Sequence, residues 1–597
     1  MKNQIVGLHF LRSLTPALAV AALAFAFAAR APAQTIFTNV PITGLPQVFE
    51  SSVAWGDYDN DGRLDFLLTG IDVFGPRSQL WRNTGGGFTN VTDNAAPGLP
   101  QRGYGSVAWG DYDNDGRLDF LLTGDGSSRI SQLWRNTGGG FTNVTASVFP
   151  ANSLPGVFYS SVEWGDYDND GRLDFLLTGS GSATVSHLWR NTGSGFTNVT
   201  ASAFPTNSLA GVRDGSVAWG DYDNDGRLDF LLTGTTTGGS SGSLSQLWRN
   251  TGSGFSNVTD SVTPGLPQVF FSSVAWGDYD NDGRLDFLLA GTTTYDGSGS
   301  LSQLWRNMGS GFSNVTDSVT PALPQVFFSS VAWGDYDNDG KLDFLLTGTT
   351  NGSTGLSQLW RNTGGGFTNV PIASLLGVGA SSVAWGDYDN DGRLDFLLTG
   401  SIATPPYSFS QLWRNNTSIT NASPGVPTGL TLTATTNAVM LSWNSAPDDY
   451  TPSSGLTYNV RAGFTPGGLD LFAGHVDATN GFRRVPAIGN AYLRHSLPLS
   501  GLTNGQTVFW SVQAVDTSFA GGPFAAETSV VTIPTLAISS GAETNALVSW
   551  TPPTWGWRLQ ERTNLSVGAW SNSSSVELNP VTVPISNDAK FYRLTPK

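Results

Sequence analysis

Hydrophobic residues in this chain fall into short runs separated by Gly, Asn, Ser or Pro. In the first unit of the pattern, these runs are Ser51–Tyr58, Leu64–Gly70, Ser78–Asn83 and Gly87–Thr92. Short apolar or alternating runs with turn residues between them predict β-strands. The connections are too short and too aperiodic to predict helices. The pattern therefore predicts an all-β protein.

The same unit returns six more times, and each copy has the spacing D-x-D-x-D-G-x-x-D between its first two predicted strands. The starts of successive motifs lie 54, 55, 55, 57, 57 and 52 residues apart. A period of this length indicates a propeller, a solenoid or an array. Four strands in each of seven units predict a seven-bladed β-propeller.

The strand count predicts how the ring closes. The third-strand sequence LWRN occurs seven times, but the fourth-strand sequence GFTNV or GFSNV follows it only six times. A matching segment, Thr35–Val40, precedes the first motif. We therefore expect the N-terminal strand to complete the last blade, which would remove an open sheet edge.

The aspartate motif has the chemistry of a cation site. Oxygen ligands at positions 1, 3 and 5 converge when the chain curls around an ion, and glycine at position 6 permits the sharp turn. The carbonyl of position 7 and the aspartate at position 9 complete an all-oxygen shell that suits Ca²⁺, so about seven structural calcium ions are expected. The predicted ligands are Asp57, Asp59, Asp61, Arg63, Asp65, Asp111, Asp113, Asp115, Arg117, Asp119, Asp166, Asp168, Asp170, Arg172, Asp174, Asp221, Asp223, Asp225, Arg227, Asp229, Asp278, Asp280, Asp282, Arg284, Asp286, Asp335, Asp337, Asp339, Lys341, Asp343, Asp387, Asp389, Asp391, Arg393 and Asp395.

The motif has two other interpretations. An EF-hand needs Glu at position 12 and flanking helices, whereas position 12 is Leu68 and its equivalents. Seven polar turns without metal would leave four carboxylates close together and repelling one another. Charge supports the cation: the net charge is −17, and the seven motifs alone hold 28 aspartates against seven basic residues. Acidity concentrated in these loops also argues against a nucleic-acid partner.

The motif with its preceding strand resembles the FG-GAP/VCBS repeats of integrin-α-type propellers. The resemblance covers roughly residues 35–417, and the aspartate spacing matches in all seven units. It implies that each loop binds Ca²⁺ between the first two strands of a blade. The ligand specificities of that family are not implied, because they reside in other loops.

Sequence variation is concentrated in the other connections. The aspartate loop and the NTGGG turn should share one face of the propeller, and both barely vary. The second-to-third and blade-to-blade connections vary and should share the opposite face, where propellers carry recognition. Candidate ligand-binding residues there are Arg102, Tyr104, Phe158, Tyr159, Arg213 and Asp214, with Phe270, Phe271, Phe327 and Phe328 as further candidates. The alternative is that these aromatic residues begin the next inner strand and pack between blades.

The ends of the chain suggest an exported, multidomain protein. Lys2 and Arg12, the apolar run 17–29 and Ala31–Ala33 before Gln34 predict a Sec-type signal peptide over 1–33. The propeller is expected over 34–417 and a linker over 418–429. Segment 430–533 resembles a fibronectin type III domain, with Trp443 at the position of its buried strand-B tryptophan. A small β-rich module is expected over 534–597.

These features favour a secreted, cell-surface or periplasmic calcium-binding interaction or adhesion protein. We expect it to be a monomer without enzymatic activity or a membrane span after signal removal, with an extracellular protein or glycan as its ligand. A calcium-dependent multivalent lectin is the alternative, because near-identical blades would repeat a sugar site. A polysaccharide-active enzyme is a third hypothesis. It is weakened because no acid–base pair breaks the repeat symmetry.

Overall fold

The computed structural model describes residues 35–597, except 151–152, 206–207, 404–406, 435–438, 478, 501, 503–506, 532–534, 541–544, 552–556, 564–568, 574–578, 585–589 and 597. The predicted signal peptide therefore lies outside the described residues.

The repeat region forms four-stranded antiparallel sheets, numbered here as sheets 1 to 7 along the chain. Sheet 1 contains β2 (Phe49–Gly56), β3 (Asp65–Asp72), β4 (Gly75–Asn83) and β5 (Phe88–Asn90); sheet 2 contains β6 (Val107–Gly110), β7 (Asp119–Gly124), β8 (Ile130–Asn136) and β9 (Phe141–Asn143); sheet 3 contains β10 (Phe158–Gly165), β11 (Asp174–Ser180), β12 (Thr184–Asn191) and β13 (Phe196–Asn198); sheet 4 contains β14 (Val217–Gly220), β15 (Asp229–Thr235), β16 (Ser243–Asn250) and β17 (Phe255–Asn257). Sheet 5 contains β18 (Phe270–Gly277), β19 (Asp286–Thr292), β20 (Ser300–Asn307) and β21 (Phe312–Asn314); sheet 6 contains β22 (Phe327–Gly334), β23 (Asp343–Thr349), β24 (Gly355–Asn362) and β25 (Phe367–Val370); sheet 7 contains β26 (Gly379–Gly386), β27 (Asp395–Ser401), β28 (Ser408–Asn415) and β1 (Phe37–Val40). The expectation of an all-β fold built from repeated blades is confirmed.

The N-terminal strand completes sheet 7, as the strand count predicted. β1 pairs antiparallel with β28, with Phe37 opposite Asn415 and Val40 opposite Leu412. Phe37 is fully buried and packs edge-on against Phe396, with 5.1 Å between ring centroids. The two ends of the repeat region are thus joined within one sheet.

Consecutive sheets contact one another through tryptophans of their first strands. The indole Nε1 of each donates to a backbone carbonyl in the first strand of the preceding sheet, at 3.1 to 3.3 Å. One of these bonds joins Trp55 of sheet 1 to Ala384 of sheet 7. Within a sheet the same tryptophan packs against the second strand, as Trp55 does on Phe66 at 5.4 Å. Indole hydrogen bonds thus join consecutive sheets, and aromatic packing joins strands within a sheet.

Short helices also occur, which the sequence pattern did not predict. Five one-turn helices follow the fourth strands of sheets 1 to 5: α1 (Thr92–Ala95), α2 (Thr145–Val148), α3 (Thr200–Ala203), α4 (Thr259–Val262) and α5 (Thr316–Val319); a 3-10 turn spans Ser240–Gly242. In α1 the Thr92 hydroxyl accepts from Leu80 N at 2.9 Å, and Asn90 Oδ1 accepts from Thr92 N at 3.0 Å. The Asn-x-Thr sequence thus fixes a tight turn, and a single turn is too short to give a helical period. No helix among the described residues is long and apolar enough to cross a membrane.

The C-terminal third forms further antiparallel sheets. One contains β29 (Thr428–Ala434), β30 (Val439–Asn444) and β32 (Ser496–Leu499), and another contains β31 (Thr457–Gly463), β33 (Thr507–Val515) and β34 (Thr528–Val531). These two sheets share one core, in which Trp443 lies 5.7 Å from Tyr458 and 6.3 Å from Trp510 between ring centroids. We call them the C-terminal sandwich. Because β29 starts at Thr428, ordered structure begins inside the predicted linker.

The last segment forms two small sheets around a separate cluster of buried residues that includes Trp550 and Leu559. Their strands are β35 (Thr535–Ser540), β36 (Asn545–Thr551) and β39 (Val581–Pro584), and β37 (Trp557–Arg562), β38 (Ser571–Asn572) and β40 (Phe591–Pro596).

Candidate functional site

The first aspartate of each motif shapes the loop. In the first loop, Asp57 Oδ1 accepts from Asp61 N at 3.0 Å, and its Oδ2 accepts from Gly62 N at 3.0 Å. Gly62 has φ +81°, a conformation that suits glycine. The same pair of bonds recurs in the other six loops. The chain therefore curls back on the first carboxylate, as a D-x-D-x-D-G loop requires.

The last aspartate ties the loop to its sheet. Asp65 is fully buried at the start of β3. Its Oδ2 accepts from Tyr58 N at 3.2 Å and its Oδ1 from Asn83 N at 2.7 Å. This carboxylate therefore joins the first, second and third strands at the loop end of the sheet.

The remaining carboxylates converge in the curl. One oxygen from each of Asp57, Asp59 and Asp61 lies within 4.8 Å of the other two. Similar triads are Asp111, Asp113 and Asp115; Asp221, Asp223 and Asp225; and Asp278, Asp280 and Asp282. In the third loop the triad is Asp166, Asp168 and Asp174, with the position-9 aspartate in place of the position-5 one.

Buried carboxylate oxygens without a partner mark the centre of these triads. The Oδ1 atom of the position-3 aspartate is buried and accepts no hydrogen bond in five loops: Asp59, Asp113, Asp168, Asp280 and Asp337. Leaving such an atom unsatisfied costs free energy. A cation in the curl would coordinate it, so the donor set fits a bound metal ion.

The electrostatics of the loops point the same way. Burial, with the charges of Asp59 and Asp57, raises the pKa of Asp65 to about 8. Burial also raises the pKa of Asp57 to about 6 and that of Asp229 to about 9. The ionised form of these carboxylates is therefore disfavoured, and a bound cation would lower their pKa values and favour the ionised form.

The charges of the side chains in each loop indicate which valence a bound cation would need. Arg63 and Arg82 both pair with Asp61, and Arg82 also pairs with Asp59 at 2.5 Å. Within a repeat, four carboxylates and two basic groups give each loop a formal charge of −2, before contacts from outside the repeat such as Arg494 on Asp221. Lys341 takes the place of Arg63 in the sixth loop. An all-oxygen site with this charge suits a divalent hard cation such as Ca²⁺.

Neighbouring loops are joined by an asparagine whose role sequence reasoning missed. The position-4 asparagine has a positive φ and donates from Nδ2 to the position-6 glycine carbonyl of the next loop, as Asn60 does to Gly116 at 3.2 Å. Equivalent bonds join the other loops, and Asn390 of the last loop donates to Gly62 of the first at 2.7 Å. The repeated "DN" was the available signal, but the acceptor lies about 56 residues away.

The C-terminal sandwich and its preceding segment cover the face that carries these loops. Each of the seven loops makes a hydrogen bond or ion pair with residues between 421 and 518. The contacts are Asp57 with Arg484, Asp111 with His475, Asn169 with Ser500, Asp221 with Arg494, Asn281 with Ser454, Asp335 with Thr517 and Gly392 with Asn421. The sandwich therefore caps the aspartate-loop face.

A ring of seven equivalent residues lines a cavity of about 130 Å³ formed by the residues that precede the first strands or lie at their starts. We call it the axial ring: Glu50, Tyr104, Tyr159, Asp214, Phe271, Phe328 and Ala380. All seven have φ between 45° and 54°, a left-handed conformation that non-glycine residues rarely adopt. Backbone bonds run around part of the ring, for example from Tyr159 N to Tyr104 O at 2.6 Å. Backbone strain repeated at one place is a reason to consider function.

The axial ring contains three of the predicted ligand residues, Tyr104, Tyr159 and Asp214. Arg213 lies beside it, paired with Asp214 at 2.7 Å and 4.4 Å from the Tyr159 ring centroid. Phe158 lies under Arg129 at 4.3 Å. Arg102 is buried, with Nη1 bonded to Gln101 O, and does not line the cavity. Phe270 and Phe327 are buried in strands, whereas Phe271 and Phe328 belong to the ring.

Glu50 is a ring residue that sequence reasoning missed. Burial, with the charge of Asp214, raises its pKa to about 7. The sequence gives no signal for it, since its neighbours look like an ordinary strand start. A β-bulge between Phe49 and Ser52 turns it toward the cavity.

Four segments of the repeat region are similar to a known protein family. Residues 57–122, 111–177, 166–232 and 335–398 match a family model. That family model describes FG-GAP-like repeats, so these segments are similar to that family. Each match runs from one aspartate loop through the next loop to the second strand of the next sheet, so it is longer than one structural repeat. No curated protein is a significant match to the whole sequence.

Solved structures of low identity are similar to the chain. The extracellular domain of a protein described as a hybrid two-component system from B. thetaiotaomicron is 11% identical, with a TM-score of 0.37. That comparison covers 83% of this chain and 57% of the neighbour, so the chain spans little over half its length. A lectin of Aleuria aurantia in complex with α-methyl-L-fucoside is 12% identical, with a TM-score of 0.30, covering 55% of this chain and 97% of the lectin.

Proposed function

We propose that this is an exported, calcium-binding interaction protein whose partner binds at the axial ring. The observation behind this proposal is the contrast between the two ends of the repeat region. The aspartate loops are nearly identical and are covered by the C-terminal sandwich. The axial ring holds a different set of side chains, at the same strained backbone position, around one cavity.

The scaffold of this proposal is a closed seven-bladed propeller over 34–417. The pairing of β1 with β28 and the bond from Trp55 to Ala384 support closure. A fibronectin type III-like domain over 430–533 and a small module over 534–597 would follow it. In this arrangement the sandwich packs against the aspartate-loop face of the propeller.

The proposed ions are structural. The unpartnered Asp59 Oδ1 and the net charge of −2 per loop support one Ca²⁺ in each loop. Such ions would join the first two strands of each blade in a chain without cysteine. Export would bring the loops to calcium-rich surroundings, where even weak sites fill.

A lectin is the second candidate. Tyr104 and Tyr159 lie 4.9 Å apart between ring centroids, and Phe271 and Phe328 lie 4.0 Å apart. Aromatic faces beside the carboxylates of Glu50 and Asp214 could also hold a sugar. Such a lectin would have one axial site, unlike the repeated sites that near-identical blades suggested.

The two candidates can be separated in one experiment. Labelled mature protein in calcium is applied to a glycan array and, separately, to a phage-displayed peptide library. Selected ligands are retested on the ring variant Tyr159→Ala/Phe271→Ala and on Thr142→Ala, which changes an exposed outer-strand residue. Peptide binding lost only in the ring variant supports the interaction protein, and glycan binding lost in the same way supports the lectin. If neither library yields a ligand that depends on the ring, the proposal fails.

A further inference from the structure

A large cavity lies between the repeat sheets and the C-terminal sandwich. Its volume is about 510 Å³, and it is lined on one side by Trp109, Trp164, Trp219 and Trp276 from the first strands of four consecutive sheets. Residues of the sandwich, including Arg483 and Tyr492, line the other side. Apolar walls with a few polar groups are typical of small-molecule sites. We call this cavity the channel cavity. None of its lining residues belongs to the axial ring.

One cationic side chain of this cavity, Arg483, is buried without an anionic partner among the described residues. Arg483 is only 7% exposed. Its Nη2 donates to Ala487 O at 2.7 Å and Ile488 O at 3.1 Å, while Nε and Nη1 are buried without any partner. Among the described residues, no carboxylate forms an ion pair with Arg483. Burial lowers the pKa of Arg483 only to about 10, so the guanidinium keeps its charge at neutral pH.

An unpaired buried charge is costly, because the interior does not replace its hydration. Buried guanidinium groups are normally matched by a carboxylate or phosphate. The two free donors of Arg483 are therefore the strongest indication of what the channel cavity holds.

A second polar group lines the same cavity and breaks the repeat. Glu163 stands where the other six first strands have alanine. Its Oε2 accepts a hydrogen bond from Trp219 N at 3.0 Å. The structure places this exceptional side chain in the wall of the cavity.

We propose that the channel cavity binds a small aromatic carboxylate, with its carboxylate paired with a free N–H donor of Arg483 and its ring against the tryptophans. This site goes beyond the proposed function and does not depend on it. The four indoles supply flat apolar surface of the kind that packs against aromatic rings. The cavity volume is in the range typical of small-ligand pockets.

Calorimetric titration of the full mature chain in calcium tests this site with three pairs of probes: benzoate, phenylacetate and indole-3-acetate, each against its neutral amide. We expect saturable binding of at least one acid, at least about ten-fold tighter than its amide, because a charge-assisted pair is lost in the amide. Arg483→Gln should weaken acid binding by about ten-fold or more, because the buried positive charge is lost. Arg77→Gln, in sheet 1, removes a surface ion pair and should leave binding unchanged.

The acid–amide comparison needs only the wild-type protein, so the test survives if Arg483 variants do not fold. The proposal is overturned if no acid binds more tightly than its amide, or if folded Arg483→Gln binds acids like the wild type. It is also overturned if inorganic phosphate or chloride binds as tightly as every aromatic acid, because the site would then hold only a simple anion.

Discussion

Arg494 of the C-terminal sandwich forms a buried ion pair with Asp221, the first aspartate of the fourth loop, with 2.7 Å between Nε and Oδ2. Asp221 is fully buried and Arg494 nearly so. The contact joins two parts of the chain that are far apart in sequence, and it gives the fourth loop a third guanidinium beside Arg227 and Arg249. Docking of the sandwich and the charge of an aspartate loop are thus coupled.

Replacing Arg494 should destabilise the protein in a calcium-dependent way. Without calcium, Arg494→Met leaves Asp221 buried and unpaired, and we expect a loss of about 3 to 5 kcal/mol in the free energy of unfolding. In saturating calcium the loss should be smaller, because the bound cation would partly compensate the buried negative charge of Asp221. Denaturant unfolding followed by tryptophan fluorescence measures both values.

The matched control is Lys590→Met, which removes a surface pair with Glu561 at 3.5 Å. Such pairs contribute about 0 to 1 kcal/mol. An Arg494→Met loss that is the same with and without calcium would show that no cation acts on Asp221.

Removing calcium should lower the melting temperature of the wild type by about 5 °C or more. A single site at 100-fold saturation contributes about 2.7 kcal/mol, and several sites act together. Differential scanning fluorimetry in EDTA, and again after adding back calcium or magnesium, measures the effect. A melt that does not change with EDTA would refute the structural role of the ions.

A single-loop variant locates the effect. Asp59→Asn changes the carboxylate whose Oδ1 is buried without a partner, so it should reduce the melting difference between calcium and EDTA. Asp93→Asn changes an exposed aspartate outside the loops and should leave that difference as in the wild type.

The local parts of the fold were predictable because their causes are local. Alternation and turn residues placed the strands, and the spacing of Asp57, Asp59, Asp61 and Asp65 anticipated a loop that curls on its first carboxylate. The surplus third strand was enough to pair Phe37–Val40 with the last sheet. Each inference needed only residues within one repeat or a count of repeats.

What escaped prediction depends on contacts between distant segments. The bridge from Asn60 to Gly116 spans two repeats, and the contact between Asp57 and Arg484 spans most of the chain. Glu50 faces a cavity because of a β-bulge, and an alternating pattern does not reveal a bulge. Glu163 could be seen as an exception in the sequence, but its partner Trp219 lies in the next sheet.

Glu163 should make stability fall as pH rises. Burial raises its pKa from 4.5 to about 8 in the folded protein. A carboxyl group with a raised folded pKa stabilises the fold below its unfolded pKa, and that contribution is lost as pH rises through the folded value. Relative to Glu163→Gln, the wild type should lose about 1.4 kcal/mol per pH unit between about pH 5 and 8.

Denaturant unfolding of both proteins across this pH range measures the difference. Glu163→Ala, which restores the residue of the other six repeats, should show the same shallow pH dependence as Glu163→Gln. Parallel pH curves for the wild type and both variants would mean that Glu163 ionises normally in the folded protein.

Making the second repeat more like the others should destabilise it. Gly105 occupies a position that is serine in five repeats, so repeat consensus favours Gly105→Ser. In sheet 2, however, the first strand begins only at Val107, and a Cβ on Gly105 would lie 2.0 Å from Thr123 O. The backbone would have to move, and we expect a loss of about 1 to 3 kcal/mol, visible as a lower melting temperature.

The matched control is Gly139→Ser in the same repeat. Three other repeats have serine at its position, and a Cβ there meets nothing within 4 Å. Gly139→Ser should therefore melt within error of the wild type, while Gly105→Ser melts lower. Gly215→Ser should repeat the effect in sheet 4, because its Cβ would lie 1.9 Å from Thr233 O. Equal melting temperatures for Gly105→Ser, Gly215→Ser and Gly139→Ser would contradict the close approach of Gly105 and Gly215 to the backbone of the second strand.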